Sequence, residues 1–247
     1  MVAKTRKLKE NVMAWCFILP FLLFFVCFLL YPILKGMKLS LYDATLGGKT
    51  SFAGLQNYVQ MIMDSGFWQS LFNTMFYVLI STPTIVIAGF IFAMFINSKL
   101  KGTTFIRTCF FAPYVLSLSV VTGLWSFIFQ PYLGLSTQIT NALGLKEIFW
   151  LNTKWLVWVA IVITTVWWRV GFNMILFLAG LQDISEEIYE AARIDGANAR
   201  QVLFQITIPL LKDTTALVIM LQIIASFKLY GQTYLMTGGG PGTHTRT

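Results

Sequence analysis

Long uncharged runs separated by short charged segments dominate this chain, and within each run the apolar residues are continuous and do not alternate. Val12 to Leu34 contains no Asp, Glu, Lys or Arg over about 23 residues. As a helix it would be about 35 Å long, enough to cross a hydrocarbon layer about 30 Å thick. Four further runs follow: Phe67 to Ile96, Thr108 to Phe129, Trp155 to Leu181, and Thr214 to about Met236 with Lys228 near its far end. Only helices and closed barrels satisfy the backbone in lipid, and continuous runs select helices. The pattern therefore predicts an all-α integral membrane protein, a polytopic helical bundle of about five spans. The first run follows Lys4, Arg6, Lys7 and Lys9, as a secretory signal would. It exceeds a signal core of about 7 to 15 residues and lacks a small-residue cleavage site, so it reads as a retained span.

Composition strengthens this picture. Of 247 residues, 57% are hydrophobic and 11% charged, and Phe alone occurs 22 times. Globular chains hold about 45 to 50% apolar and about 25% charged residues, so one aqueous core cannot hide this surface. The net charge of +8 does not point to nucleic acid, because the 18 basic residues lie between uncharged runs and build no basic face. It acts as a topology signal. With the N-terminus cytoplasmic, the inner segments carry ten basic residues: Lys4, Arg6, Lys7, Lys9, Lys99, Lys101, Arg107, Arg193, Arg200 and Lys212. The outer ones carry six: Lys35, Lys38, Lys49, Lys146, Lys154 and Arg246. That bias puts the N-terminus inside and, after five spans, the C-terminus outside. Cys16, Cys27 and Cys109 sit within apolar runs and offer neither a disulfide framework nor metal-ligand spacing.

One segment does not belong in lipid. Gln182 to Asp213 carries six of the ten acidic residues. Asp183 with Glu186 reads as a capping box opening a helix, on which Ile184, Ile188, Ala191 and Ala192 form an apolar stripe. Gly196 is placed to close that helix, Asn198 with Gln201 to open a second, Val202 to Ile206, and Pro209 to reset the chain. From periodicity alone the segment is either a helix that seats in a partner's groove or a surface helix lying on the bundle.

The residues add a resemblance. Glu190-Ala191-Ala192, three residues, Gly196, nine residues, then Ile206-Thr207-Ile208-Pro209 resembles the EAA loop in permease subunits of binding-protein-dependent ABC importers. Leu178-Ala179-Gly180-Leu181-Gln182, Ile194-Asp195-Gly196-Ala197 and Thr237-Gly238-Gly239-Gly240-Pro241-Gly242 resemble the carbohydrate-uptake, MalF-like branch of maltose and glycerol-phosphate type. Ile208 stands where Leu is usual, and Ser185 where Pro is common. The resemblance implies a type I ABC importer permease fold. It divides the chain into residues 1–66, with the basic tail, first span and outer loop, and 67–247, the permease domain with its coupling loop at 182–209. Such permeases carry one more span after the Gly-rich loop, so the end at Thr247 is expected to mark a chain lacking the last helix.

The resemblance also implies partners: a second, MalG-like permease subunit, a cytoplasmic ABC ATPase dimer that binds ATP and magnesium, and an extracytoplasmic solute-binding protein. No cofactor is expected on this chain itself. The lipid is that of a bacterial or archaeal cytoplasmic membrane. The coupling residues would be Glu190, Ala191, Ala192, Asp195, Gly196, Ala197 and Pro209, with Glu190 as the charged anchor and Asp195 to Ala197 as the turn.

Polar residues recur at helical spacing inside the spans: Thr165, Arg169 and Asn173; Asn73, Tyr77 and Ser81; Gln222, Ser226 and Tyr230. A charge such as Arg169 costs several kcal/mol in lipid unless it faces water or a partner. Asn73, Tyr77, Arg169, Asn173 and Gln222 are therefore candidates for a polar translocation path, with Trp125, Trp167 or Trp168 offering aromatic surface to sugar rings. Inter-helix hydrogen bonding is the other reading of the same rows. Lys228 is expected to snorkel toward the outer interface. Gly48-Lys49-Thr50 imitates the end of a P-loop, but Asp43 occupies the position of its first glycine. His244, the only histidine, lies in a Pro/Gly tail. No nucleophile and base pair is available, which argues against an enzyme. The absence of carboxylates within the spans argues against an ion-coupled secondary transporter.

Overall fold

The computed structural model describes residues 2–44, 50–98 and 102–247, with side chains from Met13 onward other than Ala44 and Thr50. The Gly48-Lys49 pair and the topology-bearing Lys49, Lys99 and Lys101 lie outside the described residues, as do the side chains of Lys4, Arg6, Lys7 and Lys9.

Two units emerge, divided between Phe67 and Trp68. In the first, α1 (Val2–Phe25) passes through a single π-helical stretch at Val26–Leu30 into α2 (Tyr31–Leu39). Every side chain from Met13 to Leu39 is exposed, as an all-round apolar helix surrounded by lipid or another chain would be. A short hairpin, unforeseen in the all-helical expectation, pairs β1 (Tyr42–Ala44) with β2 (Thr50–Phe52) in the register Tyr42 to Phe52. Asn57 on α3 (Gln56–Met63) fastens it by donating to the carbonyls of Ser40 and Tyr42 at 2.9 and 3.0 Å.

The second unit is built around two long helices, α4 (Ser65–Asn97) and α8 (Leu156–Gln182). These match the second and fourth apolar runs, where nothing interrupts the hydrophobic pattern. Pro83 lies inside α4 and does not end it. The third and fifth runs are not single unbroken helices. Thr108 to Phe129 was expected to be one helix; the chain instead folds as α5 (Thr103–Phe111), a 3-10 turn at Ala112–Val115, and α6 (Leu118–Ile128), bent by 100°. Pro113 in the turn removes a backbone donor. Ser117 then restarts the helix in extended conformation, its hydroxyl accepting from the Val120 N–H at 3.4 Å. After α7 (Leu135–Ala142) and α8 come α9 (Glu186–Ile194) and α10 (Ala199–Gln201). α10 continues through a π-helical stretch, Val202–Thr207, into α11 (Ile208–Leu210), and a 66° bend leads to α12 (Lys212–Phe227). The fifth run is thus entered earlier than Thr214, and it is broken at Lys228 before α13 (Tyr230–Thr237).

Two apolar clusters hold this unit together, and α8 contributes to both. Val86, Ala93 and Ile96 of α4 pack with Met174, Phe177, Leu178 and Leu181 of α8 and with Leu211 and Val218. Nearer the other end, Tyr77 packs with Val157, Trp158, Ala160 and Ile161 of α8 and with Phe129, Leu229 and Met236. Apolar side chains gain little from meeting one another when lipid is the alternative, so close packing must supply the attraction. Glycines permit it. A Cβ on Gly171 would collide with the carbonyl of Phe110 on α5, and one on Gly89 would stand 2.8 Å from Asn173 Cβ. Gly89 thus marks a close contact between α4 and α8.

Replacing Gly171 by Ala should force α5 off α8, lowering the thermal midpoint in detergent by several degrees and broadening gel filtration. Gly123→Ala on α6 places its methyl where nothing lies within 4 Å, and should leave both unchanged.

Candidate functional site

Between α8 and α12 the chain leaves the bundle as a helix, a turn and a second helix. Its first cap is not Asp183, which lies at the C-terminal end of α8 in helical conformation, so the expected Asp183 and Glu186 capping box does not form. Ser185 takes that place, accepting from the Glu187 N–H at 3.3 Å. A serine where Pro is common therefore retains a helix-starting role, by capping in place of a fixed φ. Glu186 and Glu187 in the first turn and Arg193 in the last complement the helix dipole.

The far end of α9 is a Schellman closure. Ala197 N–H bonds the Ala192 carbonyl at 2.9 Å and Gly196 N–H bonds that of Arg193 at 3.1 Å, with Gly196 at φ +76°. An L side chain in that conformation costs about 1 to 2 kcal/mol, which glycine avoids. The second helix opens as expected, with a full capping box: Gln201 N–H to Asn198 Oδ1 at 3.0 Å and Asn198 N–H to Gln201 Oε1 at 2.8 Å. It runs through the π-helical stretch past Pro209, which sits within the helix. The chain turns two residues later, at Leu211.

The apolar stripe divides. Ala192 is buried and Ile184 packs on the core, but Ile188 and Ala191 face outward. The inward face is set instead by Tyr189, whose hydroxyl shares a hydrogen bond with Thr207 at 3.3 Å and ties α9 to the second helix. The outward face collects Glu190, Ala191, Asp195 and Gly196, together with Ile194 at 86% exposure and Phe204 at 64%. Six of the seven coupling-loop candidates lie on one short helix and its turn. Pro209 lies on the arm leading to α12.

The intramembrane candidates fall into two hydrogen-bonded sets and one outlier. Tyr77 donates to Thr165 Oγ1 at 2.8 Å, the Gln232 amide donates to the same oxygen at 3.0 Å, and Thr165 donates to the Ile161 carbonyl at 2.7 Å. This links α4, α8 and α13. Asn173 donates to Gln222 Oε1 at 3.1 Å, Gln222 donates to Ser226 Oγ at 3.1 Å, and Ser226 shares hydrogen bonds with Ser81 and Thr82 at 3.2 and 3.4 Å. This links α8, α12 and α4. Asn73 belongs to neither set. Its amide donates to the carbonyls of Arg246 and Thr243 at 2.8 and 3.4 Å, holding the Gly-rich loop onto α4. Tyr230 leaves the Gln222 and Ser226 row and is exposed, because the helix breaks before it.

The two sets flank a cavity of about 60 Å³, lined by Tyr77, Thr165, Trp168, Arg169, Gln222, Ser226, Lys228 and Gln232. Arg169 stacks over the Trp168 ring at 4.7 Å. Lys228 is exposed at the break between α12 and α13 and lines this same cavity. Trp125 and Trp167 pack edge to face with each other at 5.7 Å and do not line it. Of the three aromatic candidates, Trp168 does line the cavity, while Gln232 lies outside the polar rows that spacing picked out. The only signal was polar spacing, and the break at Lys228 displaces that spacing.

Residues 52–246 match the model of the family described as binding-protein-dependent transport system inner membrane component. The chain is 34% identical over 239 residues to the probable ABC transporter permease protein YurN of Bacillus subtilis, covering 95% of this chain and 82% of that one. It is 33% identical to the trehalose/maltose transport system permease protein MalF of Thermococcus litoralis, covering 97% and 81%. Its fold is similar to that in a crystal structure of a bacterial ABC transporter involved in the import of the acidic polysaccharide alginate. There the TM-score is 0.85 at 20% identity, over 99% of this chain and 83% of that one.

Thr165→Val removes the oxygen that both Tyr77 and Gln232 use while keeping side-chain shape. It should cost on the order of 1 to 2 kcal/mol in unfolding titrations in mixed micelles. Thr84→Val, at an exposed hydroxyl that bonds only its own helix at Ile80, should cost nothing measurable.

Proposed function

The chain belongs to the binding-protein-dependent transport system inner membrane component family, and on that footing we propose that it passes a saccharide across the cytoplasmic membrane, coupled through residues 182–209 to a separate ATPase. It is a multi-pass permease subunit and not an enzyme. In this reading the N-terminus is cytoplasmic, a second permease subunit completes the pathway, and an extracytoplasmic protein delivers the solute. ATP and magnesium belong to the ATPase subunits. Relatives named for trehalose/maltose and alginate transport support a saccharide as cargo.

The observation that carries the coupling role is the outward face of α9. A free surface helix would be expected to turn its apolar residues inward. Here Ile188, Ala191 and Ile194 are presented outward beside Glu190, on a helix whose inner side is already fixed by Tyr189 and Ala192. Such a face suits a groove with apolar walls and one basic group, in which small residues permit close approach. Gly196 has open space on its Cβ side, where an added Cβ meets no atom within 4 Å in this chain. Any steric cost would arise against the docked partner.

Gly196→Trp should therefore abolish ATP-driven uptake in proteoliposomes while membrane insertion and detergent stability fall only by the backbone strain, about 1 to 2 kcal/mol. Glu190→Lys should weaken co-purification of the ATPase at least tenfold. Full uptake by the Gly196 variant, with the ATPase still bound, would remove the coupling assignment.

A further inference from the structure

The cavity between α4, α8, α12 and α13 has an unequal supply of hydrogen-bonding groups. Its neutral side chains are committed to one another: Tyr77 and Gln232 to Thr165, and Gln222 and Ser226 to each other. What remains is a set of donors. Arg169 and Lys228 both line the cavity, and no carboxylate lines it with them. The Trp168 indole N–H is buried without a partner. The shortage of negative charge extends beyond the cavity, since Ser65–Asn97, Thr103–Ile128 and Leu156–Gln182 hold no Asp or Glu. Two cations that line one cavity repel, and a buried donor without an acceptor carries its desolvation cost. One anionic group in the cavity would answer both cations, forming charge-assisted bonds of the kind a guanidinium makes best with an oxyanion.

We propose that this cavity receives an acidic group, a carboxylate or another oxyanion, borne on the transported saccharide, so that the importer's substrates are anionic sugars. The inference rests on the saccharide-permease reading and narrows its substrate class. The cavity, about 60 Å³, is the size of such a group with a water molecule and far smaller than a sugar ring with its substituents. It would thus act as a charge-reading subsite beside a wider path. Arg169 supplies orientation through its planar fork, while Lys228 supplies a point charge.

The test uses the importer assembled with its partner subunits in nanodiscs, and equilibrium binding of trigalacturonate, maltotriose and inorganic sulfate. Trigalacturonate should bind at least tenfold more tightly than maltotriose, and the ratio should fall toward one in both Arg169→Gln and Lys228→Gln, with Arg169→Lys retaining part of it. Gel filtration and thermal midpoint establish that each variant is folded, and Lys228, being exposed, gives an independent arm if Arg169→Gln does not fold. Equal binding of the two trisaccharides by the native protein, or a preference that survives both substitutions, overturns the proposal. So does displacement of trigalacturonate by sulfate at matched concentration, which would mark a site for the free anion. ATP-driven uptake in proteoliposomes separates the two levels. Maltotriose uptake without acidic preference leaves the permease reading standing and ends this one, whereas failure to take up any saccharide ends the permease reading.

Discussion

Helix α8 packs at backbone distance against its neighbours, and the positions of the other helices follow from that contact. At Gly171 its backbone meets the carbonyl of Phe110, and at Asn173 it meets Gly89 of α4. In water the hydrophobic effect would assemble such helices even with loose packing. In lipid the tails solvate a lone helix as well as another helix does, so close van der Waals contact and inter-helix hydrogen bonds must provide the difference. Both occur on this helix: glycine contacts bring the backbones together, and Thr165 and Asn173 bond to α4, α12 and α13 across the space that remains.

The polar groups inside the bundle therefore do two kinds of work. Tyr77, Thr165, Asn173, Gln222, Ser226 and Gln232 are buried and satisfied, which fits helix association. Arg169 and Lys228 are neither buried outright nor matched with a carboxylate at the cavity. A structural role would favour pairing, because an unmatched cation near lipid costs several kcal/mol. Of the residues for which spacing left hydrogen bonding and pathway open, Tyr77, Asn173 and Gln222 are engaged in hydrogen bonds, whereas Arg169 stacks on Trp168 and lines the cavity. Asn73 goes to a third place, as the clamp on the Gly-rich loop.

How much was legible in the sequence follows from how local each cause is. α4 and α8 coincide with their apolar runs because a helix in lipid needs only length and hydropathy, and both are local. The helix, glycine turn and second helix within 182–209 were legible through their residue pattern, and the Asn198 to Gln201 box through its spacing. The 100° bend between α5 and α6 was hidden because Pro113 and Ser117 lie inside an otherwise uniform apolar run, and hydropathy does not register a missing N–H. The inward face of α9 was misread because it is decided by the Tyr189 to Thr207 hydrogen bond, a contact 18 residues apart. That Lys228 lines one cavity with Arg169 was hidden for a similar reason, since the helix ends at Phe227 inside an apolar run that reads as continuous.

The same connectivity joins the two candidate regions. The loop at 182–209 is bounded by α8 on one side and, through the bend at Leu211, by α12 on the other; α8 carries Arg169 and Asn173, and α12 carries Gln222 and is followed directly by Lys228. Thirteen residues separate Arg169 from Gln182, about 20 Å of uninterrupted helix. A displacement of α9 reaches one wall of the cavity directly along that rod. It reaches the other only through Leu211, which is buried in the cluster shared by α4, α8 and α12. In the proposed coupling the two walls would therefore be driven unequally from one point, one stiffly and one through a hinge that works against a packed core. That asymmetry is the geometry needed for a movement at the loop to change the distance between Arg169 and Lys228 and not merely carry both along.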